Sequence, residues 1–179
     1  MARTTERPPR IPEHGRSLVV ARLTAVLAIL LFVPGALLAQ TSGQGRYATF
    51  NDDVDEMEMP DGGTMVLMHY RETVFADASD NPLDGLPADC VGQFLSGPDG
   101  GMRAASGTCF GHDGKGNGVS YWFRMDAAGT ADCPDMCGSY GYFAGYGKYA
   151  GIRGQGTWRR ESTTATGGHG SWKGTYQLP

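Results

Sequence analysis

Two glycine- and aromatic-rich pieces, GYGKYAGIRGQGTW at Gly145–Trp158 and GSWKGTY at Gly170–Tyr176, constrain the fold of this chain more than any other feature. Glycine costs about 1 kcal/mol at a helix interior position, so neither piece suits a helix. Both suit short, sharply bent antiparallel strands, in which glycine relieves crowding. The pattern extends through the chain. Of 28 glycines, 26 lie beyond residue 39, spread out rather than massed in a linker. No window after residue 40 repeats apolar residues with a helical period. Pro60, Pro82, Pro87, Pro98, Pro134 and Pro179 fall between apolar segments or at the end. A residue that removes a ladder donor belongs in those places in a β protein.

Reading between these marks predicts about eight strands. The first lies near Gly45–Asn51. The second, Thr64–Asp77, alternates Val66, Met68, Tyr70, Val74 and Ala76 against His69, Arg71, Thr73 and Asp77, with Glu72 interrupting the apolar side. Such alternation is what a strand with one buried face requires. A connection with one helical turn follows over Asn81–Asp89. Further strands are expected at Cys90–Leu95, Met102–Gly111, Val119–Asp126, Gly138–Ala144, Gly154–Ser162 and Gly170–Leu178. Turn residues at 97–101, 113–118 and 167–170 fit hairpins. Even spacing favours a closed antiparallel up-and-down β-barrel over a sandwich, because closure removes the exposed edges.

The chain begins with Arg3, Arg7, Arg10, Arg16 and Arg22, then an apolar run from Leu23 to Leu38. That run is shorter than the roughly 20 residues of a spanning helix. It reads as a signal peptide over 1–39, cleaved after Ala39, although Leu37 is bulky for its position. Residues 40–179 then form a single barrel domain, with 40–63 as an acidic, flexible lead-in. The expected location is exported, periplasmic or extracellular, with no membrane attachment after cleavage. The leader's five arginines outweigh Glu6 and Glu13 by +3, so a chain of −4 leaves −7 on residues 40–179. That balance disfavours nucleic acid, which is contacted through Lys and Arg on one face. Much of the acid sits at Asp52, Asp53, Asp55, Glu56, Glu58 and Asp61, read as a solvated loop.

The four cysteines, Cys90, Cys109, Cys133 and Cys137, all follow the leader. An even count in an oxidising compartment reads as disulfides, and three pairings are possible. The favoured one joins Cys90 to Cys109 across neighbouring strands and Cys133 to Cys137 around Pro134. A zinc site with His112 or His169 is the rival, but it lacks a second closely spaced cysteine pair.

The two C-terminal pieces resemble the closing part of the allene oxide cyclase/dirigent-like barrels, where a strand leads into a GxGKYxGxxGxG loop and two last strands. The segment GTCFGHDGKGNG at Gly107–Gly118 resembles a set of small exported bacterial proteins without an established activity. The resemblance covers roughly residues 88–179 and implies a calycin-like barrel of eight strands. Allene oxide cyclases isomerise a fatty-acid epoxide, and dirigent proteins steer phenoxy-radical coupling. Neither activity is matched here residue by residue, so neither is carried over.

Other motifs carry no chemistry. Gly145, Gly147 and Ala150 satisfy GxGxxG/A, but Gly151, Gly154 and Gly156 exclude the helix that a dinucleotide site needs. Asp113, Lys115 and Asn117 open like a calcium loop, but its twelfth position is Arg124. No metal or cofactor is expected. The candidate ligand-pocket residues are Tyr70 and Glu72 on the longest strand and Tyr121, Trp122 and Arg124 on another. A carboxylate among aromatics has its pKa raised by desolvation and can act as acid or base. The alternative for Glu72 is an exterior position, paired with Arg124 or Arg103. The leading expectation is a non-catalytic barrel that binds a small apolar or aromatic ligand or serves a structural role. The alternative is an isomerase or lyase acting on an apolar substrate inside the barrel.

Overall fold

A computed structural model describes residues 40–179; the expected signal peptide lies outside the described residues. Eight strands follow in order: β1 (Thr41–Glu58), β2 (Thr64–Ala76), β3 (Leu86–Ser96), β4 (Met102–His112), β5 (Gly118–Thr130), β6 (Cys133–Tyr146), β7 (Arg153–Thr164) and β8 (Gly167–Gln177). Each pairs antiparallel with its sequence neighbour, and β1 pairs with β8 from Thr41↔Tyr176 to Phe50↔Gly167, closing the barrel. The fold is therefore all-β, a closed up-and-down barrel of eight strands. No helix among the described residues is long and apolar enough to cross a membrane.

The strands follow the expected spacing, although β3 begins at Leu86 inside the expected Asn81–Asp89 connection and β6 begins at Cys133 rather than Gly138; two further segments differ in kind. The acidic run is no loop: β1 continues through Asp52–Glu58, paired to β2 from Asp53↔His69 to Glu58↔Thr64. Main-chain pairing carries this segment, and its acids stay exposed on an edge that β8 does not cover. Charge along an uncovered edge discourages pairing with other chains. The second difference concerns 167–170, where Gly167–Gly170 belong to β8 rather than to a turn. There the Thr49 carbonyl approaches Gly167 so closely that a Cβ would collide with it.

Inward parity is set by the apolar residues of each strand. Tyr47 and Thr49 of β1, Tyr70 of β2, Leu86, Ala88 and Cys90 of β3, and Val119 and Tyr121 of β5 are buried. Room for large rings comes from glycine on the neighbouring strands: Gly156, directly opposite Tyr140 of β6, faces Gly174 across β7 and β8, and the Tyr140 ring lies over both. One end of the barrel is shut by two connections. Leu83, from the β2–β3 connection, packs with Tyr149 and Ile152, from the β6–β7 connection, in a buried cluster with Val119 and Tyr176. The Tyr149 hydroxyl donates to the Pro82 carbonyl, and the Tyr176 hydroxyl donates to Asn81 Oδ1 at 3.3 Å. Gly147 begins the β6–β7 turn at φ +61°, a left-handed conformation that favours glycine.

Both expected disulfides are present, Cys90–Cys109 and Cys133–Cys137. The first joins directly opposed residues of β3 and β4. The second joins two residues at the start of strand β6 rather than closing a loop, since Cys133 already pairs with Thr130 and Cys137 with Ala127. With every described cysteine bridged, none remains as a thiolate ligand for a metal. Two disulfides suit an oxidising compartment.

Candidate functional site

The barrel interior retains a cavity of about 90 Å³, walled by Tyr47, Tyr70, Tyr121, Tyr140, Tyr142, Phe94, Phe123, Trp158 and Trp172. Leu83, Leu86 and Val119 also line it, toward the shut end. Its lining contains two charged residues, Glu72 and Arg160.

Glu72 reaches this position by alternation, sharing the inward face of β2 with Tyr70 and Val74. The register sets it opposite Thr49 of β1 and Ala88 of β3. The Tyr121 hydroxyl, from β5 across the interior, donates to Glu72 Oε1 at 2.6 Å. Burial raises the Glu72 carboxyl above its ordinary value, and the Tyr121 hydrogen bond and the Arg160 charge pull the other way. Desolvation wins. The residue keeps some accessible surface because it borders the cavity. The same desolvation holds the phenols of Tyr47, Tyr70, Tyr121 and Tyr142 well up, and Tyr140 is raised to about 12. Near neutral pH they are uncharged donors and acceptors, not bases.

Arg160 comes from β7, two residues after Trp158 and on the same inward face. Its Nη1 donates to Thr49 Oγ1 at 2.9 Å, and Thr49 Oγ1 donates to the Gly168 carbonyl at 3.3 Å. None of the ion pairs within 4.0 Å among the described residues includes Glu72 or Arg160. The carboxylate and the guanidinium thus flank the same stretch of wall, each bonded to a hydroxyl and neither touching the other.

Of the residues singled out from sequence, Tyr70, Glu72 and Tyr121 come together in the cavity, with Tyr70 set edge-on to Phe123 at 6.3 Å. Trp122 and Arg124 do not join them. β5 turns Val119, Tyr121 and Phe123 inward, and no bulge interrupts the pairing between Tyr121 and Arg124, so Trp122 and Arg124 project from the outer face. There the Arg124 guanidinium lies 5.7 Å from the Trp122 ring, bonds Ser139 Oγ at 3.0 Å and pairs with Asp126 at 3.3 Å. Arg103 is engaged by Asp61 at 2.7 Å, so neither arginine reaches Glu72. Sequence reasoning missed Arg160 and Thr49. The available signal for Arg160 was its parity with Trp158. Among the described residues no group of three or more His, Cys, Asp or Glu side chains is placed to hold a metal ion.

A buried carboxyl with a raised pKa weakens the fold in one pH range. It holds its proton more tightly folded than unfolded, so its contribution is intact below the unfolded pKa and is lost as pH rises through the folded value. Glu72→Gln keeps the acceptor for Tyr121 and removes that loss. Urea unfolding should show the variant more stable than the parent at pH 7 and equal to it near about pH 3, below the ordinary carboxylate range. A destabilised variant at pH 7 would contradict the burial of this carboxylate.

The site and fold together define a closed antiparallel barrel with a polar pair set in an aromatic interior. Among solved structures the chain is similar to a pterocarpan synthase dirigent protein, at TM-score 0.46 and 14% identity, over 79% of this chain and 89% of that one. A second pterocarpan synthase dirigent protein gives TM-score 0.43 and 15% identity, over 78% and 95% respectively. No family model matches the chain, and no curated protein matches it. The barrel assignment stands on this chain's own strand pairing.

Proposed function

We propose that this protein is an exported, periplasmic or extracellular barrel that binds a small apolar or aromatic molecule in its interior, without catalysis. The observation that carries the reading is the meeting of an aromatic wall with a few convergent polar groups in one cavity. Size narrows the ligand. The cavity, at about 90 Å³, exceeds the roughly 10–15 Å³ that one water needs. It falls short of the roughly 300 Å³ at the lower end of drug-sized pockets. A single-ring molecule, or one end of a longer one, is the scale that fits. Native mass spectrometry of the protein isolated from its own host should detect a bound small molecule. Ala88→Phe, which fills the cavity from the β3 wall, should lose it. Bare protein from the host, with no uptake of single-ring probes, would end the proposal.

A second reading follows from one contact, the Tyr121 hydroxyl on Glu72. A buried carboxyl of raised pKa, beside space for a substrate, can move a proton as an isomerase or lyase requires. Glu72→Gln should then abolish turnover of a converted substrate while leaving its binding in place. Unchanged turnover would remove Glu72 from that role.

A further inference from the structure

The two charges in the cavity wall point to the polar part of the ligand. We infer that the cavity selects a neutral molecule carrying one hydroxyl group, seated between Glu72 and Arg160, over the carboxylate of the same shape. The inference rests on the cavity-binding reading above and deepens it.

The register places Thr49 directly opposite Glu72, and Thr49 accepts from Arg160 Nη1 at 2.9 Å. Directly opposed residues on one face have Cβ atoms roughly 5 Å apart, so the carboxylate and the guanidinium lie near each other without contact. A half-buried guanidinium has five N–H donors in a fixed fork. Among the described residues its side chain makes one hydrogen bond, that to Thr49. Glu72 Oε1 accepts from Tyr121, and Glu72 Oε2 accepts no hydrogen bond from a described residue. What the wall offers a ligand is therefore a strong donor beside a strong acceptor. A hydroxyl satisfies both, donating its proton to Glu72 and accepting from Arg160. A methyl in its place leaves two charged groups unsolvated, which is costly in an apolar interior.

Charge decides between a hydroxyl and a carboxylate. Glu72 and Arg160 are the charged residues of the lining, one of each sign, so the cavity is balanced. A carboxylate would satisfy the guanidinium but would bring a second negative charge against Glu72 in a low-dielectric site. An alcohol leaves the balance intact.

Toluene, benzyl alcohol and benzoate share one ring and differ in this group. Their affinities can be read at pH 8 by ligand-observed NMR or calorimetry. Benzyl alcohol should bind about tenfold more tightly than toluene, the factor expected of one net hydrogen bond to a charged group. It should also bind more tightly than benzoate. In Glu72→Gln the guanidinium loses its opposing charge, and benzoate should gain at least about tenfold on benzyl alcohol. Val91→Thr, a change on the outer face of β3 away from the cavity, should retain the preference of the parent for benzyl alcohol over benzoate. A tightest affinity for benzoate in the parent, or a selectivity untouched by Glu72→Gln, would overturn the inference. Toluene binding as well as benzyl alcohol would overturn it and leave cavity binding standing. Failure of all three to bind a folded protein would overturn both.

Discussion

Tyr149→Ala should cost about 4 kcal/mol of folding stability, in the range of buried aromatic truncations. Tyr149 is fully buried, at 0% exposure, and so is Ile152 beside it. Its ring packs against the cluster of Leu83, Val119 and Tyr176 that shuts one end of the barrel, and its hydroxyl reaches across to the Pro82 carbonyl. Truncation removes the ring and the one side-chain hydrogen bond by which Tyr149 ties the two end connections together. At roughly 3 °C per kcal/mol for a domain of this size, the melting temperature should fall by about 12 °C. Tyr149→Phe keeps the ring and leaves the Pro82 carbonyl without that donor, so a smaller loss of about 1–2 kcal/mol is expected. Because Leu83 lines the cavity one residue after Pro82, both variants should also weaken binding of any interior ligand. Chemical denaturation of the three proteins gives the comparison. A loss below about 1 kcal/mol for the alanine variant would mean that this end is not closed by Tyr149.

The barrel was largely legible in the sequence, because glycine and proline mark strand ends by backbone geometry, which is local. The Thr64–Ala76 strand could be read from alternation alone. Asp52–Glu58 could not. Its acidic residues occur at both parities, so no apolar face announces a strand, and the pairing that holds it is to β2. The Arg71 guanidinium adds a fork onto Asp52, at 2.8 and 3.1 Å to Oδ1, again between residues whose proximity depends on register. Gly167–Gly170 failed for a different reason. Two adjacent glycines suit a turn, but here they permit close approach of β1, which only the closed barrel brings near.

The site was legible as far as parity within a strand could take it. Tyr70 and Glu72 are two residues apart and share a face, so both followed from the alternation of β2. Tyr121 fits the same rule, which also excludes Trp122 from its side. Arg160 sits in Arg159-Arg160-Glu161, a run whose natural reading is a solvated surface. Only Trp158 two residues earlier marks its inward direction, and a bulge between Arg160 and Ser162 ends the regular alternation just beyond it. Thr49 gave no signal of its own. Its part depends on lying opposite Glu72 on β2 and within reach of Arg160 on β7, both far away in sequence. Non-local register, rather than residue type, separates what could be read from what could not.

Replacing Cys90 and Cys109 together by alanine should cost at least about 3 kcal/mol, against about 2 kcal/mol for the Cys133–Cys137 pair. The first difference is loop length, a separation of 19 residues against 4, which sets how strongly each bridge restricts the unfolded chain. The second is packing. Between Leu86 and Phe94 the inward positions of β3 and β4 include Ala88, Gly92, Ala105, Gly107 and Gly111, so this part of the wall has little side-chain volume of its own. Cys90 and Cys109 are buried at 2% and 3% exposure, with the Tyr70 hydroxyl 3.9 Å from Cys109 Sγ. Both cysteines belong to the buried cluster that includes Tyr70 and against which Phe123 packs, and alanine leaves a void there. Denaturant midpoints of the two double variants should therefore separate, with the Cys90/Cys109 variant unfolding first. If the Cys133/Cys137 variant proved the weaker, loop length and wall packing would both be the wrong account of what the bridges do.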